Sequence, residues 1–211
     1  SVEIIDLVAR AFLGPGDNAV NSEHAFVRFR QIVAAHNHGA RLVPMRDFTH
    51  ALPAMAKAVD ARTRLLFVAN PNNPTGTWNR RAEVEALVAG LPPGCLLVLD
   101  EAYFEYADDP DYPNGIELVL RGAPVVVTRT FSKGHGLAGL RVGYAIADAA
   151  VVAILNRLRE SFNVGGPSLL AATVALDDPG HVATTRDGTR AMREQLAREL
   201  QSLPLQVTPS Q

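Results

Sequence analysis

Short, continuously apolar runs alternate with helical patterns along most of the 211-residue chain, and this alternation restricts the possible fold more than any other feature. An apolar run without polar alternation is typical of a strand whose two faces are both covered by helices. Repeated strand–helix–strand units form a parallel sheet with right-handed crossovers. The sequence therefore predicts an α/β fold with a mostly parallel sheet sandwiched by helices. The predicted strands are Ala19–Val20, Arg41–Pro44, Leu65–Ala69, Leu96–Leu99, Val125–Thr128 and Val142–Ala147.

Helical patterns follow most of these strands and dominate the end of the chain. The predicted helices are Glu3–Phe12, Ala25–His36, Leu52–Ala58, Arg80–Val88, Ile116–Leu120, Ala149–Arg159, Leu169–Leu176 and His181–Leu203. Asp148 is predicted to cap the helix that follows it, and Gly39 to end the preceding helix in a left-handed conformation. Because strands cease after about residue 148, we predict a large domain over residues 1–180. Residues 181–211 are predicted to form a connecting helix and the start of a smaller C-terminal domain.

Composition excludes several classes of protein. The 20 basic and 22 acidic side chains give a formal net charge of −2, so the chain lacks the positive charge by which proteins hold nucleic acids. Its apolar runs are far shorter than the roughly 18 residues of a membrane helix. The single cysteine, Cys95, indicates a reducing compartment, and we expect a cytoplasmic location. Helical spacing just after Ser1 and apolar residues at Leu205 and Val207 lead us to expect the middle of a longer protein.

Polar side chains cluster directly after three of the predicted strands. In open α/β sheets, ligands bind beyond the carboxyl ends of the strands. These positions hold Asn70–Gly76, Asp100–Tyr103, and Arg129–Lys133 with a glycine-rich stretch to Gly143. The order Ser132-Lys133-Gly134 is wrong for a phosphate-binding loop, which ends in Gly-Lys-Ser or Gly-Lys-Thr. An amide, a carboxylate, a phenol, hydroxyls, a lysine and an arginine are therefore expected at one edge of the sheet.

One cofactor chemistry uses all these groups together. A lysine can hold an aldehyde as an imine, and a carboxylate can keep a pyridine nitrogen protonated so that the ring acts as an electron sink. Amide and phenol donors bind a phenolic oxygen, while an arginine and hydroxyls bind a phosphate. The cofactor that carries an aldehyde, a pyridine nitrogen, a phenolic oxygen and a phosphate is pyridoxal 5′-phosphate. The sequence therefore predicts a site for this cofactor.

Three motifs resemble, in order and spacing, the signatures of fold-type-I pyridoxal-phosphate enzymes of the class I/II aminotransferase family. They are Asn70–Trp78, Leu99–Tyr103 and Thr130–Gly143, and they are most similar to those of histidinol-phosphate aminotransferases. The resemblance extends from Ser1 to about Leu203. It implies that residues 1–180 are the cofactor-binding large domain of such a transferase.

The resemblance also implies a role for each matching residue. Lys133 is the Schiff-base lysine and the general base that moves the substrate proton, and Asp100 is the partner of the pyridine nitrogen. The other cofactor-binding residues are Asn73 and Tyr103 at the phenolic oxygen, Thr130, Ser132 and Arg141 at the phosphate, Phe26 stacked on the ring, and Ser1 and Val2 as backbone N–H donors to the phosphate at a helix start. No metal site is predicted.

Structural explanations compete with these roles at several positions. Asp100 could simply end a strand, Asn73 could serve the turn, and Phe26 could pack in the core. One departure from the family pattern is Gly134-His135, where relatives carry a small residue and an aromatic one. His135 is expected near the cofactor, where it either alters substrate preference or only packs.

The activity that the resemblance implies is transamination, with a place in histidine or other amino-acid biosynthesis. The amino donor is histidinol phosphate or an aromatic amino acid, and 2-oxoglutarate accepts the amino group. Two alternatives stay open: a pyridoxal-phosphate-dependent decarboxylase of a phosphorylated amino acid, and a non-catalytic pyridoxal-phosphate-binding sensor domain of a transcription regulator. We expect small amino acids and keto acids as substrates, a homodimer, and neither nucleic acid nor membrane as a partner.

Overall fold

A six-stranded sheet forms the centre of the computed structural model, which describes residues 1–210. The strands are β1 (Asn18–Ser22), β2 (Gly39–Val43), β3 (Thr63–Ala69), β4 (Leu96–Asp100), β5 (Val125–Thr130) and β6 (Gly143–Ile146). They lie in the order β2-β1-β3-β4-β5-β6, and every neighbouring pair is parallel except β5 and β6, which are antiparallel. The predicted α/β fold with a mostly parallel sheet is confirmed.

The direction of the edge strand β6 follows from the connection before it. Residues 131–142 contain one short element, the 3₁₀ turn Ala138–Leu140. A parallel return requires a crossover that is usually built around a helix, whereas an antiparallel neighbour does not. The chain therefore turns back at the carboxyl end of β5, and the loop that it forms there carries Ser132, Lys133 and Arg141.

Helices cover both faces of the sheet, which explains the continuously apolar runs Leu65–Ala69 of β3, Leu96–Leu99 of β4 and 125–127 of β5. The helices α1 (Val2–Phe12), α2 (Arg28–Ala35) and α6 (Ala149–Leu158) pack on one face, and α3 (Leu52–Ala58), α4 (Arg81–Ala89) and α5 (Gly115–Leu120) on the other; α7 (Gly166–Leu176) and α8 (Pro179–Gln201) follow. Along β3, Phe67 is buried in the core on the face covered by α1, α2 and α6. Leu66 and Val68 are buried in the core on the opposite face, covered by α3, α4 and α5. Alternate side chains of one strand thus bury themselves in opposite layers.

The ends of α2 and α6 test two predicted caps. The Asp148 side chain accepts a hydrogen bond from the Ala150 N–H at 2.8 Å, as predicted. The prediction for Gly39 is wrong, because the left-handed residue after α2 is Asn37, with φ of +60°, and Gly39 begins β2. Asparagine enters the left-handed region more readily than most residues with a Cβ. The chain therefore leaves the helix two residues earlier than the glycine suggests.

The part of the chain after β6 is helical, as the sequence predicts. Its last helix, α8, begins at Pro179, and the Asp178 side chain caps it by accepting a hydrogen bond from the His181 N–H at 3.0 Å. The division into a large domain over residues 1–180 and a segment over 181–211 stays a prediction. Among residues 1–210, no helix is both long enough and apolar enough to cross a membrane.

Candidate active site

A cavity lies at the carboxyl ends of β3, β4 and β5, where ligands bind in open α/β sheets. All ten residues that the sequence analysis assigns to the site line this cavity: Ser1, Val2, Phe26, Asn73, Asp100, Tyr103, Thr130, Ser132, Lys133 and Arg141. The sheet brings them together because parallel strands end at the same edge. A lysine, a buried carboxylate, a phenol and a guanidinium group therefore surround one space.

Asp100 is the buried acid of the cavity. It is the last residue of β4 and only 4% exposed. Thr128 lies directly across from it in β5, and the Thr128 hydroxyl donates to its Oδ1 at 2.9 Å. Burial raises the pKa of Asp100, and the hydrogen bond from Thr128 acts against that rise. A buried carboxylate beside a cavity is suited to bind a protonated nitrogen, because a positive partner offsets the cost of burying its charge.

Asn73 and Tyr103 form a second polar group on the cavity wall. The Asn73 side-chain amide donates to the Tyr103 hydroxyl at 3.2 Å. Buried Asn70 anchors the start of the loop that carries Asn73: its Nδ2 donates to the Asn79 carbonyl at 3.1 Å, and its Oδ1 accepts from the Asn79 N–H at 2.8 Å. The Tyr112 hydroxyl donates to the Asn70 carbonyl. Asn79 and Tyr112 were not predicted from the sequence, because neither follows a strand end.

Lys133 lies in the loop after β5, and its side chain is exposed. Its Nζ is 5.3 Å from the centroid of the Tyr103 ring, so the amine and the phenol approach each other. The loop also passes close to Glu105, where a Cβ added at Gly134 would lie 2.8 Å from the Glu105 Cβ. Glycine after the lysine therefore allows the loop to approach the 3₁₀ turn Phe104–Tyr106.

Residues 134–139 read Gly-x-Gly-x-x-Gly, the letter pattern of dinucleotide-binding turns. In such turns the glycines lead into a helix whose N-terminus faces the pyrophosphate. Here they lead into the 3₁₀ turn Ala138–Leu140. The pattern therefore does not have the strand–turn–helix context of a dinucleotide site.

Thr130, Ser132 and Arg141 form a polar corner of the cavity. The Ser132 N–H donates to Thr130 Oγ1 at 3.1 Å, and Arg141 Nη1 donates to Ser132 Oγ at 3.4 Å. Arg141 has φ of +53°, a left-handed conformation that costs energy for a residue with a Cβ and is concentrated at functional sites. The N-terminus of α1 lines the same corner. A guanidinium group, hydroxyls and a helix N-terminus together suit an oxyanion such as phosphate.

Phe26 belongs to the core and to the cavity wall at once. Its ring meets Phe29 edge-on with centroids 5.7 Å apart, and Phe29 stacks on Phe67 at 5.0 Å in the core. Phe26 also lines the cavity. Core packing and a role in the site are therefore compatible at this position.

His135 packs beside the site. Its ring lies 4.8 Å from the Phe131 ring, and its Nε2 is 3.7 Å from Glu105 Oε1. Within residues 1–210, His135 is not among the side chains that line the cavity. The contacts of His135 with Phe131 and Glu105 are those of a packed side chain beside the cavity, and its influence on substrate preference stays a prediction.

Two buried polar groups near the cavity, the Arg129–Glu101 pair and His50, were not predicted from the sequence. Arg129 donates to Glu101 Oε2 at 2.7 Å. His50 lies beneath the end of β3, with Nε2 3.0 Å from the Ala69 carbonyl and Nδ1 2.7 Å from Ser22 Oγ. Burial lowers the pKa of His50 to about 4, so the ring is neutral at pH 7. Because a carbonyl only accepts, Nε2 carries the proton, and Nδ1 accepts from the Ser22 hydroxyl.

Known proteins are similar to this chain in sequence and in fold. A family model for aminotransferase class I and II matches residues 1–211. Histidinol-phosphate aminotransferase 2 of Pseudomonas fluorescens is 46% identical over 210 residues, and the enzyme of the same name in Pseudomonas aeruginosa is 47% identical. Each alignment covers 100% of this chain and 57% of the relative, so the chain spans little more than half the length of these relatives.

A solved structure with the same fold contains a bound cofactor. The histidinol-phosphate aminotransferase of Sinorhizobium meliloti, in complex with pyridoxal-5′-phosphate, superposes with a TM-score of 0.92 at 31% identity. The match covers 98% of this chain and 56% of that one. By fold, by sequence identity and by a family model that matches its whole length, the chain belongs to the aminotransferase class I and II family.

Proposed function

We propose that the protein is a pyridoxal-phosphate-dependent aminotransferase that moves an amino group from histidinol phosphate or an aromatic amino acid to 2-oxoglutarate. The observation that carries the proposal is that Lys133 and Asp100, from two different strand ends, line one cavity. The relatives named above support histidinol phosphate as the first substrate to try, because all three are histidinol-phosphate aminotransferases.

The residues of the cavity fit the cofactor group by group. The buried Asp100 carboxylate, whose pKa burial raises, suits a protonated ring nitrogen. Asn73 and Tyr103 offer an amide and a phenol to the phenolic oxygen, and Lys133 offers an amine to the aldehyde. The polar corner of Thr130, Ser132 and Arg141, with the backbone of Ser1 and Val2, suits the phosphate, and Phe26 offers a ring face. Bound pyridoxal phosphate supplies an electron sink next to the substrate α-carbon.

The chain's own side chains then have distinct tasks. Asp100 keeps a proton on the ring nitrogen, and its burial strengthens that interaction because the local dielectric constant is low. Lys133 would accept a proton from the substrate α-carbon and deliver it to the cofactor carbon C4′. Arg141 and the hydroxyls anchor the phosphate, which holds the reacting atoms in place. We further propose that the enzyme acts as a cytoplasmic homodimer.

Reductive labelling tests the proposed site. The full-length protein is incubated with pyridoxal phosphate, reduced with borohydride and digested, and the modified peptide is located by mass spectrometry. Residues 1–211 contain two lysines, Lys57 and Lys133. Lys57, in the last turn of α3, is exposed and does not line the cavity, so it is the internal control. Label at Lys133 is expected; label at Lys57 alone, or none, would refute the site.

A second assay distinguishes the activity from its alternatives. Unreduced full-length protein loaded with pyridoxal phosphate is incubated with histidinol phosphate or an aromatic amino acid and 2-oxoglutarate, and glutamate is measured. Glutamate formation is the expected result. Release of carbon dioxide from a phosphorylated amino acid without glutamate would indicate the decarboxylase, and label at Lys133 without any turnover would indicate the sensor.

A further inference from the structure

A buried ion pair lies on the face of the sheet away from the cavity, directly behind Asp100. Glu101 is 0% exposed, and Arg129 of β5 donates to its Oε2 from Nε at 2.9 Å and from Nη2 at 2.7 Å. The Gly115 N–H, at the start of α5, donates to the other oxygen, Oε1, at 2.7 Å. Both oxygens of the carboxylate are therefore bound, one by the arginine and one by backbone.

The arginine is held from two further sides. Its Nη2 also donates to Asn114 Oδ1 at 2.8 Å, and its guanidinium carbon lies 3.5 Å from the centroid of the Phe104 ring. A forked, stacked guanidinium group fixes a position in a way that the flexible ammonium of lysine cannot. We call Glu101, Arg129, Asn114, Phe104 and Gly115 the Glu101 cluster.

The Glu101 cluster joins β4 to β5 where their paired residues end. The last pair is Asp100 with Thr128, and the Glu101 N–H donates to the Thr128 carbonyl at 2.8 Å. Successive side chains of a strand point to opposite faces. Thr128 and Thr130 therefore share the face of Asp100, and Arg129 between them points to the other. The ion pair thus ties the residue after Asp100 to the residue before Thr130.

We propose that Glu101 and Arg129 are positioning residues, which fix the Asp100 carboxylate relative to the loop that carries Lys133. This inference rests on the proposed function, because the distance between Asp100 and Lys133 matters only if these two side chains bind the same cofactor. Functional groups must be held to within about 0.5 Å to act together. Neither Glu101 nor Arg129 lines the cavity, so each acts through its neighbours.

A merely structural ion pair would behave differently. Its loss would lower the stability of the apoprotein, but the cofactor in the folded fraction would keep its properties. A positioning pair also sets how tightly Asp100 holds the ring nitrogen, which the cofactor's visible absorption reports. The pH midpoint of that absorption therefore separates the two roles independently of turnover.

The test uses Arg129→Lys in the full-length protein, since lysine keeps the positive charge and loses the fork. Asn114→Ser is the milder variant: serine retains the helix cap to Ile116 N–H but does not reach Arg129 as the amide does. Glu85→Gln is the matched control, because Glu85 pairs with Arg121 at 3.0 Å on the surface, away from the cavity. Each protein is measured for urea midpoint, pyridoxal-phosphate affinity, absorption midpoint and turnover per reducible cofactor.

Arg129→Lys is expected to lower turnover about tenfold or more and to weaken cofactor affinity, since small misplacements of reacting groups have large effects. Its absorption midpoint should move by about one pH unit, and Asn114→Ser should shift it in the same direction by less. Glu85→Gln should match the wild type. If Arg129→Lys does not fold, Asn114→Ser carries the test.

An unchanged absorption midpoint and turnover in the folded variants, with only the urea midpoint lowered, would overturn the positioning role. Failure of the proposed function is a separate result. In that case borohydride does not label Lys133 even in the wild-type protein, whatever the variants do.

Discussion

Replacing Asp100 by asparagine is expected to change stability and activity in opposite directions. The side chain is buried, and burial raises the pKa of its carboxyl group. A carboxyl group whose pKa is higher in the folded protein than its unfolded value of about 3.9 contributes stability that is fully present below about pH 3.9. This stability is lost as the pH rises through the folded pKa. Ionising Asp100 is therefore less favourable in the folded apoprotein than in the unfolded chain, and asparagine of the same shape avoids that cost.

The size of the gain follows from the same relation. Each unit by which the folded pKa exceeds the unfolded one corresponds to about 1.4 kcal/mol. The asparagine amide oxygen can still accept from the Thr128 hydroxyl, so the hydrogen bond is kept. We expect Asp100→Asn to stabilise the apoprotein at pH 7.5, because burial raises the pKa of the Asp100 carboxyl group and asparagine carries no charge to bury. The gain should shrink toward zero as the pH falls to about 4, and urea unfolding at several pH values measures it.

Pyridoxal phosphate should reverse the order of the two proteins. A ligand that binds the folded state stabilises it according to its affinity, and only the wild type has the carboxylate for the ring nitrogen. Turnover of Asp100→Asn should fall about 100-fold or more with cofactor still bound. Asp47→Asn, whose side chain is 95% exposed, is the control and should change neither property. An Asp100→Asn apoprotein less stable than wild type at pH 7.5, or undiminished turnover, would refute the reasoning.

Four further outcomes are expected. Lys133→Ala should abolish transamination and leave the far-ultraviolet circular dichroism spectrum unchanged, because the exposed side chain contributes nothing to the core. His50→Gln should reduce the stability lost between pH 6.5 and 4 by about 3 kcal/mol in urea titrations, because the unfolded chain binds a proton there that folded His50, with a pKa of about 4, does not. Cys95 should resist alkylation at pH 8 until the protein is unfolded, because it is buried and burial raises its pKa to about 11. Phe67→Ala should lower the free energy of unfolding by about 3–5 kcal/mol, since the ring is fully buried and stacks on Phe29.

The sequence was sufficient to predict the sheet and the position of the cavity, for a physical reason. A strand covered by helices on both faces must be apolar along its whole length, so β3 and β4 stand out as uninterrupted runs. The first polar residue after such a run then lies at the edge where ligands bind, as Asn70 and Asp100 do. The roles of the residues around the cavity remain predictions that labelling and mutation must test.

Strand direction and helix ends were harder to predict, because they depend on local geometry. The apolar run of β6 is the same whether the strand is parallel or antiparallel. Only the connection over residues 131–142, which has no α-helix, indicates its direction. At the end of α2, both Asn37 and Gly39 can adopt a left-handed conformation. The chain uses Asn37, and a pattern of residue types does not distinguish the two.

Contacts between distant strands could not be predicted from one sequence. Glu101 and Arg129 are 28 positions apart, and each separately resembles a polar residue at a strand end. The available signal was Arg129 itself, a charged residue between two threonines that directly follows the apolar run of β5. Such a residue requires a buried acid, and Glu101 after the neighbouring strand is the candidate. His50 gave no such signal, because it lies in a connecting segment.

The most direct measurement is a crystal structure of the full-length protein grown with pyridoxal phosphate. We predict that the Lys133 amine binds the aldehyde carbon. At the far end of the same ring, an Asp100 oxygen should lie within about 2.7–2.9 Å of the nitrogen, the length of a charge-assisted hydrogen bond. A cofactor bound elsewhere, or one whose ring nitrogen points away from Asp100, would contradict this arrangement.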